Sequence, residues 1–258
     1  MNTQIQLIKI GGSIITDKSK PYKPNCAIIH AIARKIKMID SPLIVAHGSG
    51  SFAHTSASLY GGVHGYSSKL GFAKVARDAM EINRIVMDIF IEEQLPVVSL
   101  RPLSLMTSKN GRLKESFFEP VLMALEQSFI PVVYGDVIFD EKWKSTIFSG
   151  EATLNYLCLY LLKNKYRVKN IIQLSNIEGI YDKNNQVIPQ INHVNWADVR
   201  KNISGNGKAD VTGGIVHKIE NAIEIAKTGI RTIIINGNNA ENLISAINKE
   251  KIGTMISY

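Results

Sequence analysis

The sequence predicts a doubly wound α/β fold built on a mainly parallel sheet, and three observations carry that prediction. Short apolar strands alternate with amphipathic helices along the chain. Leu43-Ile44-Val45 and Ile233-Ile234-Ile235 are apolar at every position, as expected of strands covered on both faces. Glycine-rich segments follow several strand ends, where such sheets hold their ligands.

In chain order, strands are expected at residues 4–10, 43–47, 97–100, 130–134, 170–175, 231–236 and 254–257. Helices are expected at about 25–39, 69–94, 118–127, 150–163, 214–228 and 240–247. In the helix that follows Lys69, the residues Phe72, Val75, Ala76, Ala79 and Ile82 recur at helical spacing, so one stripe covers a sheet face. Segments 107–116 and 136–148 read as β-hairpins or excursions. No repeat, low-complexity tract or linker interrupts the pattern. One domain over residues 1–258 is expected, with two lobes dividing near residue 165.

Composition narrows the function. A chain of 258 residues that is 45% hydrophobic can build a full core. No apolar run approaches the ~20 residues that span a bilayer, and no signal peptide is read at the N-terminus. Cys26 and Cys158 are isolated, which fits neither a disulfide framework nor a zinc site, so a cytoplasmic protein is expected. The formal net charge is +8, but the lysines are scattered, and no nucleic-acid motif accompanies them. Neither nucleic acid nor a membrane is expected as a partner. A basic field of this kind favours small anionic substrates.

The chemistry-bearing residues sit at the glycine-rich strand ends. Lys9 lies in the first strand, Gly11-Gly12-Ser13 closes it, and Lys18 follows. Glycines let backbone amides approach an anion, and lysines add point charges suited to phosphate oxygens. Gly48-Ser49-Gly50-Ser51-Phe52-Ala53-His54 follows the second strand and matches a dinucleotide fingerprint in part. It lacks the acidic ribose partner about 20 residues on. It reads instead as an oxyanion-binding turn ending in His54, which can donate to a phosphate or phosphonate oxygen. No carboxylate or cysteine joins His47, His54 and His64, so no metal site is read there. No P-loop sequence is present. Gly135-Asp136, Ser149-Gly150-Glu151 and Asp210-Val211-Thr212-Gly213-Gly214 with Lys218 are further anion-handling candidates. Together these supply what phosphoryl transfer needs, which is mainly positioning and charge neutralisation. Lys9, Lys18 and Lys218 would supply charge, and Glu151 would orient them or help position Mg2+ through water.

This ordered set resembles the amino-acid kinase superfamily, and most of all its isopentenyl phosphate kinase branch. Ile8-Lys9-Ile10-Gly11-Gly12-Ser13 with Thr16-Asp17-Lys18 resembles the opening K-x-G-G-S-x-x-T-x-K, and residues 47–54 resemble H-G-G-G-S-F-G-H. Gly135-Asp136-Val137, Ser149-Gly150-Glu151, residues 177–182, residues 210–218 and Asn236-Gly237 resemble the family's later motifs in order. The resemblance implies a three-layer αβα sandwich with a mainly parallel central sheet, as a homodimer. It implies that the N-terminal lobe (roughly 1–165) binds the acceptor and the C-terminal lobe (roughly 166–258) binds ATP. It implies transfer of the γ-phosphoryl group of Mg-ATP to isopentenyl phosphate.

Carried over by position, Lys9 would bridge the donor and transferred phosphates, Lys18 would stabilise the moving group, and His54 would grip the acceptor phosphate. Gly48, Ser49, Gly50 and Gly150 would hold the acceptor. Gly11, Gly12, Ser13, Asn176, Gly179, Tyr181, Gly213, Gly214 and Lys218 would bind ATP, and Glu151 would assist catalysis. The chain departs from the branch at Ser49 and Ala53, where glycines stand in the motif, at Glu151-Ala152 in place of Asp-Asp, and at Asn176 in place of an aspartate. Two other readings stay open at this point. One is a fosfomycin-type phosphonate kinase, and the other is a non-catalytic nucleotide- or anion-binding protein. An apolar cavity beyond His54 would favour the prenyl phosphate, and a shallow polar one the phosphonate.

Overall fold

The structure is a computed structural model that describes residues 4–17, 19–61, 64–203 and 214–258. In chain order the elements are β1 (Ile5–Ile10), α1 (Gly12–Ile15), α2 (Cys26–Ile36), β2 (Leu43–His47), α3 (Gly50–Tyr60), α4 (Lys69–Glu92), β3 (Val97–Ser99) and α5 (Pro102–Leu105). They continue with β4 (Met106–Lys109), β5 (Arg112–Ser116), α6 (Glu119–Glu126), β6 (Ile130–Tyr134), β7 (Asp136–Asp140), β8 (Lys144–Phe148) and α7 (Gly150–Lys163). The last are β9 (Val168–Ser175), β10 (Gln190–Ile191), α8 (Trp196–Asn202), α9 (Gly214–Ala226), β11 (Thr232–Asn236), α10 (Glu241–Ile247) and β12 (Thr254–Ile256).

Eight strands form the main sheet in the order β10-β12-β11-β9-β1-β2-β6-β3, parallel except where β12 runs against β11. The alternation of buried side chains explains the layers. Along β2, Leu43 and Val45 face one core, while Ile44 and Ala46 face another. The first core is closed by α2, α4 and α10 through Ile32, Val86 and Leu243. The second is closed by α6 and α7 through Val121, Leu157 and Leu161. Helix α9 extends that layer, packing Ile219 and Ile223 against Ile234 and Ile256. This is the αβα sandwich with a mainly parallel sheet that the sequence predicts.

Helix ends follow their caps. Ser68 accepts from the Gly71 amide at 2.9 Å to open α4, and Ser149 accepts from the Ala152 amide at 3.0 Å to open α7. One expectation fails in this region. Residues 50–60 form the helix α3 rather than a turn ending at His54. Phe52 and Ser56 bury one side of it, a stripe too polar to register as helical periodicity in the sequence.

The carboxyl ends of the central strands are level. Ile10 is in register with His47 on one side and Leu174 on the other, and His47 with Tyr134. The segments that leave these strands therefore share one edge of the sheet. Because β1 lies between β2 and β9, that edge is also the place where the crossovers diverge.

The expected excursions form a second sheet, ordered β5-β4-β7-β8. Asp140 pins it. The carboxylate accepts from the Ser108 hydroxyl at 2.8 Å and from the amides of Gly111, Lys142 and Trp143 at 2.8–2.9 Å. Burial by itself would raise the Asp140 pKa, but these donors outweigh it and hold the group below its ordinary value. Stability from Asp140 is therefore present above the usual carboxylate range and lost as pH falls through it. Asp140→Ala is expected to lower unfolding free energy by about 3 kcal/mol at pH 7. Urea denaturation should show that deficit shrinking toward pH 3, and a pH-independent deficit would contradict this role.

Candidate active site

Glycine lets the loops at the sheet edge close on one another. A Cβ on Gly12 would stand 2.6 Å from the Gly50 amide nitrogen, and one on Gly48 would stand 2.6 Å from the Gly12 nitrogen. Neither distance is tolerable for a side chain, so the segments after β1 and β2 touch through bare backbone. Gly50 itself has φ 49 and sits under Thr16, outside the cavity lining. A Cβ on Gly150 would run into the His47 carbonyl, which brings the start of α7 into the same cluster.

These contacts frame a cavity of about 430 Å³. Lys9, Gly11, Gly12, Ser13, Gly48, Ser49, His54, Gly150, Glu151, Asn176, Gly214 and Lys218 all line it. The sequence separates these residues by up to 209 positions, from Lys9 to Lys218, and the sheet edge gathers them. Gly179 and Tyr181 lie apart from this lining, in the turn beyond β9, where Gly179 packs on Val187 and Thr254. Lys18 and the run Asp210-Val211-Thr212-Gly213 fall outside the described residues.

The electrostatics suit an anion. The starts of α1, α3, α7 and α9 all open on the cavity, through Gly12, Ser49, Gly150 and Gly214. Amides in a helix's first turn lack intrahelical acceptors, and the helix dipole adds positive potential there. Not every glycine amide is available for this. Those of Gly11, Gly48 and Gly135 donate to Leu174, Ile10 and His47 carbonyls at 2.8–3.0 Å, continuing the sheet ladder. Three glycines read from sequence as a cradle therefore spend their amides on holding the loops in place.

The Ser49 departure also has a structural consequence. Its backbone lies in the ordinary right-handed region at φ −88, and its hydroxyl donates to the Gly135 carbonyl. The side chain thus ties the segment after β2 to the segment after β6. His47, fully buried, lies 3.0 Å from the Gly48 carbonyl and 3.1 Å from the Asn83 side chain, and it stacks on Tyr134. Burial pushes its imidazole below the ordinary histidine pKa, against the opposing pull of those two partners. His47 is a neutral prop beneath the site.

Part of the lining is apolar. Ala53 and Ala57 of α3, Val75 of α4, and the cross-strand partners Val137 and Ile147 form it. From sequence, Phe72, Val75, Ala76, Ala79 and Met80 of the 69–94 helix are where a prenyl tail would lie, but of these only Val75 lines the cavity. Ala79 is buried in the core, and Met80 lies near Arg101. Val137 and Ile147 were not identified from sequence. Their signal is the apolar alternation of the 136–148 hairpin, which does not say what it covers.

Asp136 and Arg101 were also missed as a pair. The Arg101 guanidinium lies 3.1 Å from Asp136 and donates to the Ala76 carbonyl at 3.1 Å, fastening α4 to the floor of the cavity. Burial raises the Asp136 pKa to about 6, although Arg101 and the Val137 amide pull it down. Among the described residues, no group of three or more histidine, cysteine, aspartate or glutamate side chains could cage a metal ion.

Comparison with known proteins agrees with this geometry. The sequence profile of the amino acid kinase family matches residues 4–236. The chain belongs to the amino acid kinase family. It is 33% identical to the isopentenyl phosphate kinase of Thermoplasma acidophilum, with 98% of this chain and all of that protein aligned. It is 28% identical to the isopentenyl phosphate kinase of Methanocaldococcus jannaschii over 98% of this chain and 99% of the relative. A solved structure of isopentenyl phosphate kinase superposes with a TM-score of 0.81 at 25% identity, covering 98% of this chain and 100% of the other. Within the family, the chain therefore sits in the isopentenyl phosphate kinase branch.

The Asp136–Arg101 pair generates a signed prediction. Asp136 takes up a proton more readily in the folded chain, so its stabilising contribution is full below about pH 4 and lost as pH rises through about 6. Arg101→Met leaves the buried carboxylate without its cation and should cost about 3 kcal/mol at pH 8. Urea denaturation at pH 5 should return part of that loss, because the carboxyl can then be neutral. Equal losses at both pH values would contradict the assignment.

Proposed function

We infer that the protein transfers the γ-phosphoryl group of ATP to isopentenyl phosphate, giving isopentenyl diphosphate. The observation that carries this reading is a single cavity that joins an anion-binding floor to an apolar wall. Ser13, Gly150 and Lys218 line it together with Ala57, Val75, Val137 and Ile147, which pack into one apolar cluster. A small prenyl phosphate needs both halves. A phosphonate antibiotic would leave the apolar wall exposed to water at a cost proportional to its area.

In this reading Lys9, at the end of β1, neutralises charge between the donor and transferred phosphates. Lys18 stabilises the moving group, and His54, one turn into α3, donates to the acceptor phosphate. Gly48, Ser49 and Gly150 shape the acceptor side. Lys218, on the first turns of α9, holds the ATP phosphates together with Gly12, Ser13, Gly214 and Asn176. Gly179, Tyr181 and Gly213 belong to the same nucleotide side. No general base is required, because the attacking group is already a phosphate oxygen. The chemistry reduces to alignment and charge neutralisation.

A magnesium ion would be carried in by the nucleotide's own phosphate oxygens and water. Such an ion would neutralise phosphate charge, and the buried Glu151, which lines the cavity, would orient its water. The division into an acceptor lobe before about residue 165 and a nucleotide lobe after it follows from this assignment. A homodimer, as the family resemblance implies, in the cytoplasm that the isolated cysteines suggest, completes it.

The test is ATP turnover with isopentenyl phosphate, dimethylallyl phosphate and fosfomycin offered in parallel. Isopentenyl phosphate should be consumed and fosfomycin spared, whereas a preference for fosfomycin would overturn the acceptor assignment. Lys18→Ala and His54→Ala should each lower kcat by roughly a hundredfold or more without altering the circular dichroism of the fold. Wild-type rates in either variant would remove that residue from the mechanism.

A further inference from the structure

One stripe of α3 borders the cavity along much of its length. Ser49 at the helix start, Ala53 and Ala57 all line it, and their four-residue spacing places them on one face of a helix. Ser49 and Ala53 are also two of the positions where the chain departs from the glycines of the motif it resembles. Both departures therefore add side-chain atoms to the same stripe. At one end, the Ser49 hydroxyl donates to the Gly135 carbonyl. A Cβ on Gly135 would stand 3.0 Å from the Ser49 Oγ and 3.4 Å from the Gly150 amide nitrogen, so three strand-end segments meet there. At the other end, Ala57 packs in the apolar cluster of Val75, Val137 and Ile147. Ala53 stands one turn from each, between the polar end and the apolar end.

The stripe is held in place. Phe52 and Ser56 bury the adjacent side of α3, which stops the helix from rotating. Its first residue, Gly50, is pressed against Thr16. Its last, Tyr60, sits on α4, where a Cβ on Gly71 would come within 2.7 Å of the Tyr60 Cβ. The Ser49 hydrogen bond fixes the helix start against the segment that leads into β7 and Val137. A wall built this way yields to a larger ligand only by moving packed backbone, and close-packed interiors resist that.

We propose that Ala53, with Ser49 as the residue that positions its helix, selects acceptors whose phosphate is carried on an unbranched carbon and rejects those branched at that carbon. The proposal deepens the reading of the site as one for isopentenyl phosphate and rests on it. With the acceptor phosphate at the Ser49–Gly150 end and the prenyl tail on the Ala57 cluster, the phosphate-bearing carbon passes Ala53. A methylene fits beside the alanine methyl there, whereas an extra methyl on that carbon runs into it. One such group in a pocket of fixed shape is worth roughly ten- to two-hundredfold in kcat/KM.

The experiment compares isopentenyl phosphate with its analogue bearing one extra methyl on the phosphate-bearing carbon, in steady-state kinetics with ATP. The wild-type protein should prefer isopentenyl phosphate by about thirtyfold or more in kcat/KM. Ala53→Gly should cut that ratio to roughly threefold. Ser49→Ala, which releases the helix start from Gly135, should lower it by about threefold, with the KM for ATP within about twofold in both variants. Ala53→Val adds bulk without placing a glycine in the helix, and should raise the KM for isopentenyl phosphate about tenfold. No preference in the wild type, a preference that Ala53→Gly leaves intact, or an unchanged acceptor KM in Ala53→Val would each overturn the proposal. An unchanged ratio in Ser49→Ala would overturn the part given to Ser49. Failure of the wild type to turn over isopentenyl phosphate at all would overturn the reading of the site and the proposal with it, an outcome seen without any variant.

Discussion

The backbone contact between Gly12 and the Gly48–Gly50 segment is the constraint on which the site depends. Two loops leave adjacent parallel strands, and each would hold the other apart if either carried a side chain at the contact. With glycine there, the segment after β1 and the start of α3 meet directly, and Gly150 brings α7 against them. The ladder bonds of the Gly11, Gly48 and Gly135 amides lock this arrangement to the sheet. Flexible glycines thus become the rigid part of the site, because the strands on both sides leave them no other conformation.

Electrostatics then follow from placement. Four helix starts converge on one cavity, and Lys9 and Lys218 add full charges to their partial ones. The carboxylates near this positive field are treated differently. Glu151 and Asp136 both line the cavity, and Asp136 is compensated by Arg101. The Arg101 link to the Ala76 carbonyl makes that compensation serve packing as well, since it holds α4 where Val75 can form the apolar wall. The anionic head and apolar tail of a prenyl phosphate would meet surfaces set by neighbouring parts of one framework.

Much of this was legible in the sequence because strands buried on both faces are unmistakable, and the glycines after them mark the functional edge. Lys9, His54, Glu151 and Lys218 were chosen from local context, and the fold gathers all four at one cavity. What was not legible depended on distant partners. Helix α3 hid behind glycine and serine residues, whose helical state is imposed by Phe52 and Ser56 packing inward. Ala57, Val137 and Ile147 look like ordinary core residues until the hairpin is placed over α3 and α4. Arg101 and Asp136 are 35 residues apart and carry no local mark of pairing. The amides of Gly11 and Gly48 look free in the sequence, and only the strand register shows where they are spent.

The central claim is that the glycine contact brings donor and acceptor phosphates into direct, in-line apposition, with the protein supplying alignment and charge but no covalent relay. The most direct measurement is the stereochemistry of transfer from ATP made chiral at the γ-phosphorus with sulfur and oxygen isotopes. A single in-line displacement predicts inversion of configuration in the isopentenyl diphosphate analogue formed. Retention would require two displacements through a phosphorylated residue, such as His54, and would contradict the account.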